Sequence, residues 1–203
     1  MAQTDFSQNA GGGSANAFGQ ANWANARSGT GGTVNYSDDA YTLRSDLSSF
    51  FIQRPFFVFD TSTLPDDATV TAAELRVYRD DAIDTFVNTD TCTMHIVPQA
   101  QTDPLELGTA GDYTSITNTS KGSLLFSGTS NGAYAAITLT DLTQVNITGY
   151  TKLALITDRD LNNTVPTGGN QIAFQAFGGS NPPVLRVTYT TPSGGGAFIQ
   201  NFI

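Results

Sequence analysis

The chain has 203 residues, the size of one domain, and a formal net charge of −9 at pH 7. Nucleic-acid binding needs a basic stripe, so this charge excludes a phosphate backbone as the partner. We expect no membrane insertion, because the sequence lacks the run of roughly 20 apolar residues that crosses a bilayer. Only 13% of the residues are charged, and Ser, Thr, Asn and Gly fill the polar positions, which favours strands and turns over exposed helices.

Residues 1–20 are rich in Gly, Ala, Asn and Gln, a composition that predicts a flexible N-terminal arm. Two isolated aromatic residues in it, Phe6 and Phe18, are candidate contacts with a neighbouring subunit. The segment has neither the basic start nor the apolar stretch of a secretory signal peptide. We therefore expect either a mature secreted chain or one released by another route, such as inside a virus particle.

Three short segments after this arm are predicted strands, at residues 22–27, 33–37 and 40–44. A sugar-binding surface requires exposed aromatic rings beside polar groups. The rings of Trp23, Tyr36 and Tyr41 are therefore candidate glycan contacts. The alternative for each ring is packing in the core or at a sheet edge.

Residues 50–78 form the predicted centre of the fold. Apolar side chains occupy both parities of the first half, at Phe50, Ile52, Phe56 and Val58 and at Phe51, Phe57 and Phe59. Such a pattern predicts a central strand that is covered on both faces. Pro65, Asp66 and Asp67 supply turn chemistry within residues 61–68, after which a second strand resumes.

The same stretch carries the pattern R-x-F-h-x-F-D, then L-P, then A-T-h-x-x-A-x-L-x-h-Y (h apolar), at residues 54–60, 64–65 and 68–78. This pattern resembles the signature of the DNRLRE-type β-sandwich modules, which include a family of carbohydrate-binding modules. Residues 182–190 are similar to the closing strand of such modules, and residues 149–160 to a late strand and loop. The resemblance covers roughly residues 20–190 and implies a β-sandwich with a role in glycan binding.

Further short strands are predicted along the second half of the chain, at residues 92–97, 124–126, 133–139, 153–156, 172–177 and 184–189. Thr140 or Asp141 is a candidate N-cap of one helical turn within residues 140–147. Short strands separated by turns indicate an antiparallel β-sandwich, jelly-roll-like, spanning residues 21–190. Cys92, the single cysteine, alternates with polar residues and is predicted to be a buried thiol.

No catalytic arrangement is recognisable in the sequence, and we expect no enzyme activity. Residues 128–132 match G-x-S-x-G, but that nucleophile motif needs a following helix and a later histidine. The single histidine, His95, lies upstream, and Asn131-Gly132 precedes a strand, which indicates a hairpin turn. We interpret His95 as a residue on a strand surface. One histidine and one cysteine also exclude the usual zinc sites.

Calcium is the one cofactor that the sequence leaves open. Asp158, Asp160 and Asn162 are spaced like the first ligands of a calcium loop, but Asn163 and Gly169 stand where an EF-hand requires Gly and Glu. A looser calcium site at these three residues remains one interpretation. The other is an ordinary turn in which Asp158 bonds to the backbone or to Arg159.

Residues 191–203 form a predicted C-terminal arm, in which three consecutive glycines precede an apolar tip of Phe198, Ile199, Phe202 and Ile203. An extended segment of this length reaches about 40 Å, enough to contact a neighbouring subunit. The tip could add to a sheet edge or fill an apolar groove of a partner. The alternative is a tail that lies on its own domain.

Two functional hypotheses follow. The first is a non-enzymatic structural or adhesive protein of a virus particle (a phage decoration, fibre or tail component) or of a surface filament. It would assemble through its arms with copies of itself or with other subunits, on the virion or extracellular surface. The second is a carbohydrate-binding module that recognises a cell-surface or matrix polysaccharide.

Overall fold

The computed structural model describes residues 1–9, 13–17, 19–30, 34–37, 41–46, 50–80, 92–101 and 110–192. Its strands are β1 (Ala2–Ser7), β2 (Gly13–Ala17), β3 (Val34–Ser37), β4 (Tyr41–Asp46), β5 (Phe51–Asp60), β6 (Thr69–Tyr78), β7 (Thr93–Pro98), β8 (Ser123–Leu125), β9 (Tyr134–Thr138), β10 (Tyr150–Thr157), β11 (Asn170–Phe174) and β12 (Val184–Thr190). Its α-helices are short: α1 (Trp23–Ser28), α2 (Ala110–Thr114) and α3 (Asp158–Leu161). None of the helices in these ranges has the length and hydrophobicity needed to span a membrane.

The strands form two antiparallel sheets, which confirms the predicted all-β sandwich. The smaller sheet has the order β1-β12-β6-β9, and the larger has the order β11-β4-β5-β10-β7-β8, with β2 paired to both β3 and β5. The ends of β6 and β11 are joined by a bridge between Arg79 and Phe174, which curls the two sheets into a half-barrel.

Strand β5 is covered on both faces, as its sequence predicted. Phe57 and Phe59 belong to the main core, which lies between the sheets and includes Leu75 and Ile137 of the smaller sheet. Ile52 and Phe56 point the other way, into a second core on the outer side of the larger sheet. Successive side chains of a strand alternate between faces, so two separate cores require both parities of β5 to be apolar.

The second core is built by segments that cover the larger sheet from outside. Its buried members include Ala15 and Ala17 of β2, Trp23 and Ala26 of α1, and Tyr113 of α2. They pack on side chains of strands β5, β7 and β10. These side chains are Ile52, Phe56, Val97, Ala154 and Ile156.

The prediction of a flexible N-terminal arm is wrong for the described part of residues 1–20. Strand β1 pairs with β12 along its whole length, from Ala2 opposite Tyr189 to Ser7 opposite Val184, and β2 pairs with β5. Phe6 is 7% exposed and belongs to the main core of its own chain. The composition was misleading because backbone hydrogen bonds to β12 and the one buried side chain of Phe6 are enough to hold this edge strand. Phe18 and the apolar tip from Phe198 to Ile203 lie outside the described residues.

The predicted strand at residues 22–27 is also wrong, because this segment is helix α1. The Asn22 side chain caps it by accepting a hydrogen bond of 2.9 Å from the backbone N–H of Asn25, and Gly29 ends it in the left-handed conformation with φ 66°. Both are standard helix-boundary signals. Trp23 of this helix is only 4% exposed.

Several local predictions are confirmed. Residues 61–68 form the turn before β6, with hydrogen bonds from Leu64 N to Thr61 O and from Ala68 N to Pro65 O. The helical turn near residue 142 is a 3-10 turn, Leu142–Gln144, capped by the side chain of Asp141. Cys92 is buried.

Candidate functional site

Arg54 of β5 is the centre of a buried polar cluster on the outer side of the larger sheet. Its guanidinium donates four hydrogen bonds: Nε to Asp160 Oδ2 (2.7 Å), Nη2 to Asp160 Oδ1 (2.9 Å), Nη1 to the carbonyl of Tyr113 (2.7 Å) and Nη2 to the carbonyl of Arg27 (3.1 Å). The side chains of Arg54 and Asp160 are 3% and 1% exposed. A buried ion pair needs this many hydrogen bonds to offset the cost of removing both charges from water.

Helix α3 brings Asp160 to this position. The helix begins directly after β10, and the Thr157 hydroxyl accepts a hydrogen bond from Asp160 N (3.2 Å). Arg27 of α1 approaches from the solvent side and donates from Nε to the Asp160 carbonyl (3.0 Å) and to Oδ1 (3.3 Å). Two guanidinium groups therefore share one carboxylate. Burial, the largest single effect, would lower the pKa of Arg54, but the Asp160 carboxylate and Tyr113 together outweigh it and raise that pKa, so Arg54 stays a cation.

Tyr113 completes the cluster, which we call the arginine hub (Arg27, Arg54, Tyr113 and Asp160). The Arg54 Cζ atom lies 4.1 Å from the centre of the Tyr113 ring, and the Tyr113 hydroxyl donates to the carbonyl of Ala26 (2.7 Å). Burial raises the pKa of Tyr113, so the phenol stays protonated and is no general base. The hub ties α1, α2 and α3 to β5.

Asp158, Asp160 and Asn162, the residues considered as calcium ligands, each have a different environment in the structure. Both carboxylate oxygens of Asp160 accept hydrogen bonds from arginine. Asp158 Oδ1 accepts instead from Cys92 Sγ (3.1 Å) and from the backbone N–H of Thr93 (3.3 Å), and Asn162 is exposed at the end of α3. Within the ranges that the structure describes, no group of three His, Cys, Asp or Glu side chains is placed to hold a metal ion.

Cys92 and His95 each contact a polar side chain of another segment. Burial and the neighbouring Asp158 carboxylate raise the pKa of the Cys92 thiol, which keeps it in the unreactive protonated form. His95 Nδ1 lies 2.9 Å from the Ser120 hydroxyl, and partial burial lowers the pKa of the imidazole.

A cavity of about 270 Å³ opens beside the hub, and we call it the Arg27 cavity. Its walls are mainly polar, and its lining residues are Ala24, Arg27, Ser28, Arg54, Thr114, Ile116, Asn118 and Asn163. Sequence reasoning missed it because its lining residues come from segments that are far apart in the sequence.

The predicted glycan contacts do not form a common surface. Trp23 is buried in the second core, so its ring is no stacking platform. Tyr36 lies in β3 and Tyr41 in β4, but their side chains are outside the described residues.

Tyr134 is held on the outer face of the smaller sheet. Its hydroxyl donates to the carbonyl of Pro182 (3.1 Å), and the Tyr78 ring meets it edge-on at 5.3 Å. Arg76 Cζ lies 5.1 Å from its centre. The Tyr134 ring is therefore packed against residues of its own chain.

A larger cleft of about 550 Å³ lies on the outer side of the larger sheet, and we call it the Gln99 cleft. It is lined by hydroxyl, amide and ring groups, from Pro98, Gln99, Thr143, Gln144, Asn146, Gly149, Tyr150 and Lys152. Gln99 stands two residues after Val97 of the second core, and Lys152 two before Ala154. Side chains two apart on a strand share a face, so Gln99 and Lys152 lie on the same face of the sheet as the second core. The surface of that face changes there from apolar to polar.

Only one end of the Gln99 side-chain amide is hydrogen-bonded, and Gln99 is one of several described residues with a buried, unpartnered polar atom. Its side-chain oxygen accepts from the backbone N–H of Gln101 (2.8 Å), but its amide nitrogen has no partner among the described residues. The residue is 7% exposed. A buried polar group without a partner costs about 1–3 kcal/mol, so an acceptor that reached this nitrogen would be stabilising.

The other polar groups of the cleft are held in place. Lys152 Nζ donates to the carbonyl of Gln101 (2.5 Å). The Asn146 side-chain oxygen accepts from Thr148 N (3.1 Å), and its Nδ2 donates to the carbonyl of Tyr150 (3.5 Å). Sequence reasoning did not identify Tyr150 as a site residue, because the residues next to it in the chain do not show that it lines a cleft.

Comparison with models of known protein families found no match to this chain, and a search of curated proteins found no similar sequence. The resemblance to DNRLRE-type modules therefore stays a prediction.

Proposed function

We propose that this protein is a non-enzymatic binding module that holds a polysaccharide in the Gln99 cleft. The observation that carries the proposal is the buried, unpartnered amide nitrogen of Gln99 in the wall of a polar cleft. A sugar hydroxyl is both a donor and an acceptor, so it can accept from this N–H and donate to a neighbouring amide oxygen.

Three further features support a neutral sugar-like ligand. The volume falls in the range of ~300–1,000 Å³ that is usual for small-molecule sites. Tyr150 supplies one half-buried ring, and Gln144, Asn146 and Thr143 supply neutral polar groups around it. The floor of the cleft is also rigid, because strands β7 and β10 are hydrogen-bonded to each other there. A rigid floor reduces the entropy cost of ordering a site on binding.

The experiment is a glycan-array screen of the full chain, followed by calorimetry on the best ligand. Gln99→Leu removes, at nearly constant size, both the unpartnered amide nitrogen and the oxygen that accepts from Gln101 N, and Tyr150→Ala removes the ring. Each change should weaken binding by about five- to tenfold, because a hydrogen bond between neutral groups or a stacked ring contributes about 1–1.5 kcal/mol. Tyr78→Ala, which removes a half-buried tyrosine of the other sheet, is the matched control and should bind like the wild type. A wild-type protein that binds no glycan, or two cleft variants that bind normally, would overturn the proposal.

A second candidate is a subunit of a virus particle or surface filament, in which the chain meets copies of itself or other subunits. The open edge strand β8 supports it. Within the described ranges β8 pairs only with β7, and its Leu125 is 49% exposed. An open edge can accept a strand from another chain, and residues 191–203 contain four large apolar residues that could supply one.

Size in solution tests this second candidate. The full chain should form oligomers by light scattering, and deletion of residues 191–203 should convert them to monomer. A Leu125→Lys variant, which places a charge on the edge, should have the same effect if β8 is the acceptor. A full-length chain that is monomeric at all concentrations would overturn assembly without touching the glycan proposal.

A further inference from the structure

The Arg27 cavity has an excess of positive charge and of hydrogen-bond donors. Arg27 and Arg54 both line it, and both donate to the single carboxylate of Asp160. Two cations therefore share one anion, in a chain whose formal net charge is −9. The local charge is opposite to that of the protein as a whole.

Donor counting shows which N–H groups are available. A guanidinium has five N–H donors, and Arg54 makes four hydrogen bonds, only one of them from Nη1. One Nη1 hydrogen of a side chain that is 3% exposed therefore has no acceptor within the described residues. A buried cationic donor in this state is unfavourable unless something else accepts from it.

Arg27 adds donors that are nearer to solvent. Only its Nε contacts Asp160, and its Nη1 and Nη2 groups make no hydrogen bond with the described part of the chain. Its side chain is 20% exposed. The side-chain amides of Asn118 and Asn163, which also line the cavity, are exposed and make no hydrogen bond within the same ranges.

We propose that the Arg27 cavity binds an oxyanion group, a carboxylate or a phosphate, between the free N–H groups of Arg27 and Arg54. The planar fork of arginine matches both groups in bidentate geometry. The amides of Asn118 and Asn163 donate to the remaining oxygens. Asp160 does not itself bind the anion. It orients both arginines, and because it neutralises only one of them, the site keeps one positive charge.

This inference is independent of the glycan proposal, because the two cavities share no lining residue. An anion bound here would also bridge α1 to the end of α2. It would therefore stabilise the folded chain against unfolding, because it binds the folded state alone.

The test is a titration of the full chain with sodium phosphate and, separately, sodium acetate, followed by amide and arginine Nε–H NMR signals. Sodium chloride at matched ionic strength is the control for screening. Saturable shifts at Arg27, Asn118 and Asn163 with phosphate or acetate, but not with chloride, are expected. Which of the two anions saturates first distinguishes a phosphate site from a carboxylate site.

Variants distinguish anion binding in the Arg27 cavity from general attraction of anions to positive charge. Arg27→Gln should weaken the saturable binding by about tenfold or more, because charge-assisted hydrogen bonds contribute about 1.5–3 kcal/mol. Asn118→Ala, which leaves the hub intact, should weaken it less and serves if Arg27→Gln proves unfolded. Lys152→Gln removes a positive charge at the Gln99 cleft and should leave the binding unchanged. Shifts that do not saturate, that chloride reproduces, or that persist in both Arg27→Gln and Asn118→Ala would overturn the proposal.

Discussion

Arg54 and Asp160 stand 106 residues apart in the chain, and two hydrogen bonds of 2.7 and 2.9 Å join their side chains in a site almost closed to water. The pair connects the central strand β5 to helix α3, and it holds the elements that cover the outer side of the larger sheet. Their role in this structure is to join two segments that are distant in the sequence.

Breaking this pair from one side should be strongly destabilising. Arg54→Met leaves the Asp160 carboxylate buried without its main partner, and Asp160→Asn leaves a buried guanidinium. Either change should lower the free energy of unfolding by about 3–5 kcal/mol, while the double variant should lose less than the sum of the two. Urea unfolding of all four proteins measures the coupling. Asp5→Asn breaks the exposed pair with Arg186 and should have a much smaller effect. Additive losses at Arg54 and Asp160 would contradict the geometry.

Phe6 should contribute to stability as a core residue. It is the buried anchor of β1, and Phe→Ala in a core costs about 3–5 kcal/mol. Phe6→Ala should therefore lower the urea midpoint markedly and expose the amides of β1 to hydrogen exchange. Gln3→Ala, at an exposed position of the same strand, is the matched control and should change neither. A Phe6→Ala protein as stable as the wild type would mean that the N-terminal residues are free in solution.

Gly122 should not tolerate a side chain. Its φ is 152°, and an added Cβ would lie 2.2 Å from the carbonyl oxygen of Thr138. Gly122→Ala should cost at least about 2 kcal/mol from strain and steric clash together. Gly178→Ala separates the two causes, since Gly178 has φ 86° but no atom near its added Cβ. That control should cost about 1–2 kcal/mol from φ alone. Equal losses at both positions would show that the clash at Thr138 is relieved.

His95 should make stability depend on pH near neutrality. Burial lowers its pKa below the ordinary 6.5, against a smaller opposing effect of Asp158. The unfolded chain therefore binds the proton more tightly than the folded chain, so the free energy of unfolding falls as pH drops below about 6.5 towards the folded-state pKa. In the His95→Gln variant the urea midpoint should depend less on pH between pH 5 and pH 7. A wild-type midpoint that stays constant or rises as pH falls across this window would contradict the sign.

Local sequence patterns predicted much of the fold. The apolar residues on both parities of β5 predicted a strand covered on both faces, and the structure places a core on each side of it. Pro65 and the neighbouring aspartates predicted the turn before β6. Signals of this kind can be read from sequence because alternation and turn preference act over a few residues.

Other elements were misread because their local pattern is weak. The polar residues of β1 suggested a free arm, yet pairing with β12 at the far end of the chain makes it a strand. Trp23 was read as part of a strand, but the Asn22 cap and Gly29 make a short helix whose stability comes from burial of that ring. Six residues of helix are marginal alone, so tertiary packing decided both outcomes.

The sequence by itself determined an all-β chain with a doubly apolar central strand and a buried thiol at Cys92. Only the tertiary structure decided that Asp160 is the counter-ion of Arg54, and that Gln99 and Tyr150 share a cleft. The physical reason is distance along the chain. Hydrophobic periodicity is a property of neighbours, whereas a charge or an amide acquires its role from groups that folding brings to it from elsewhere.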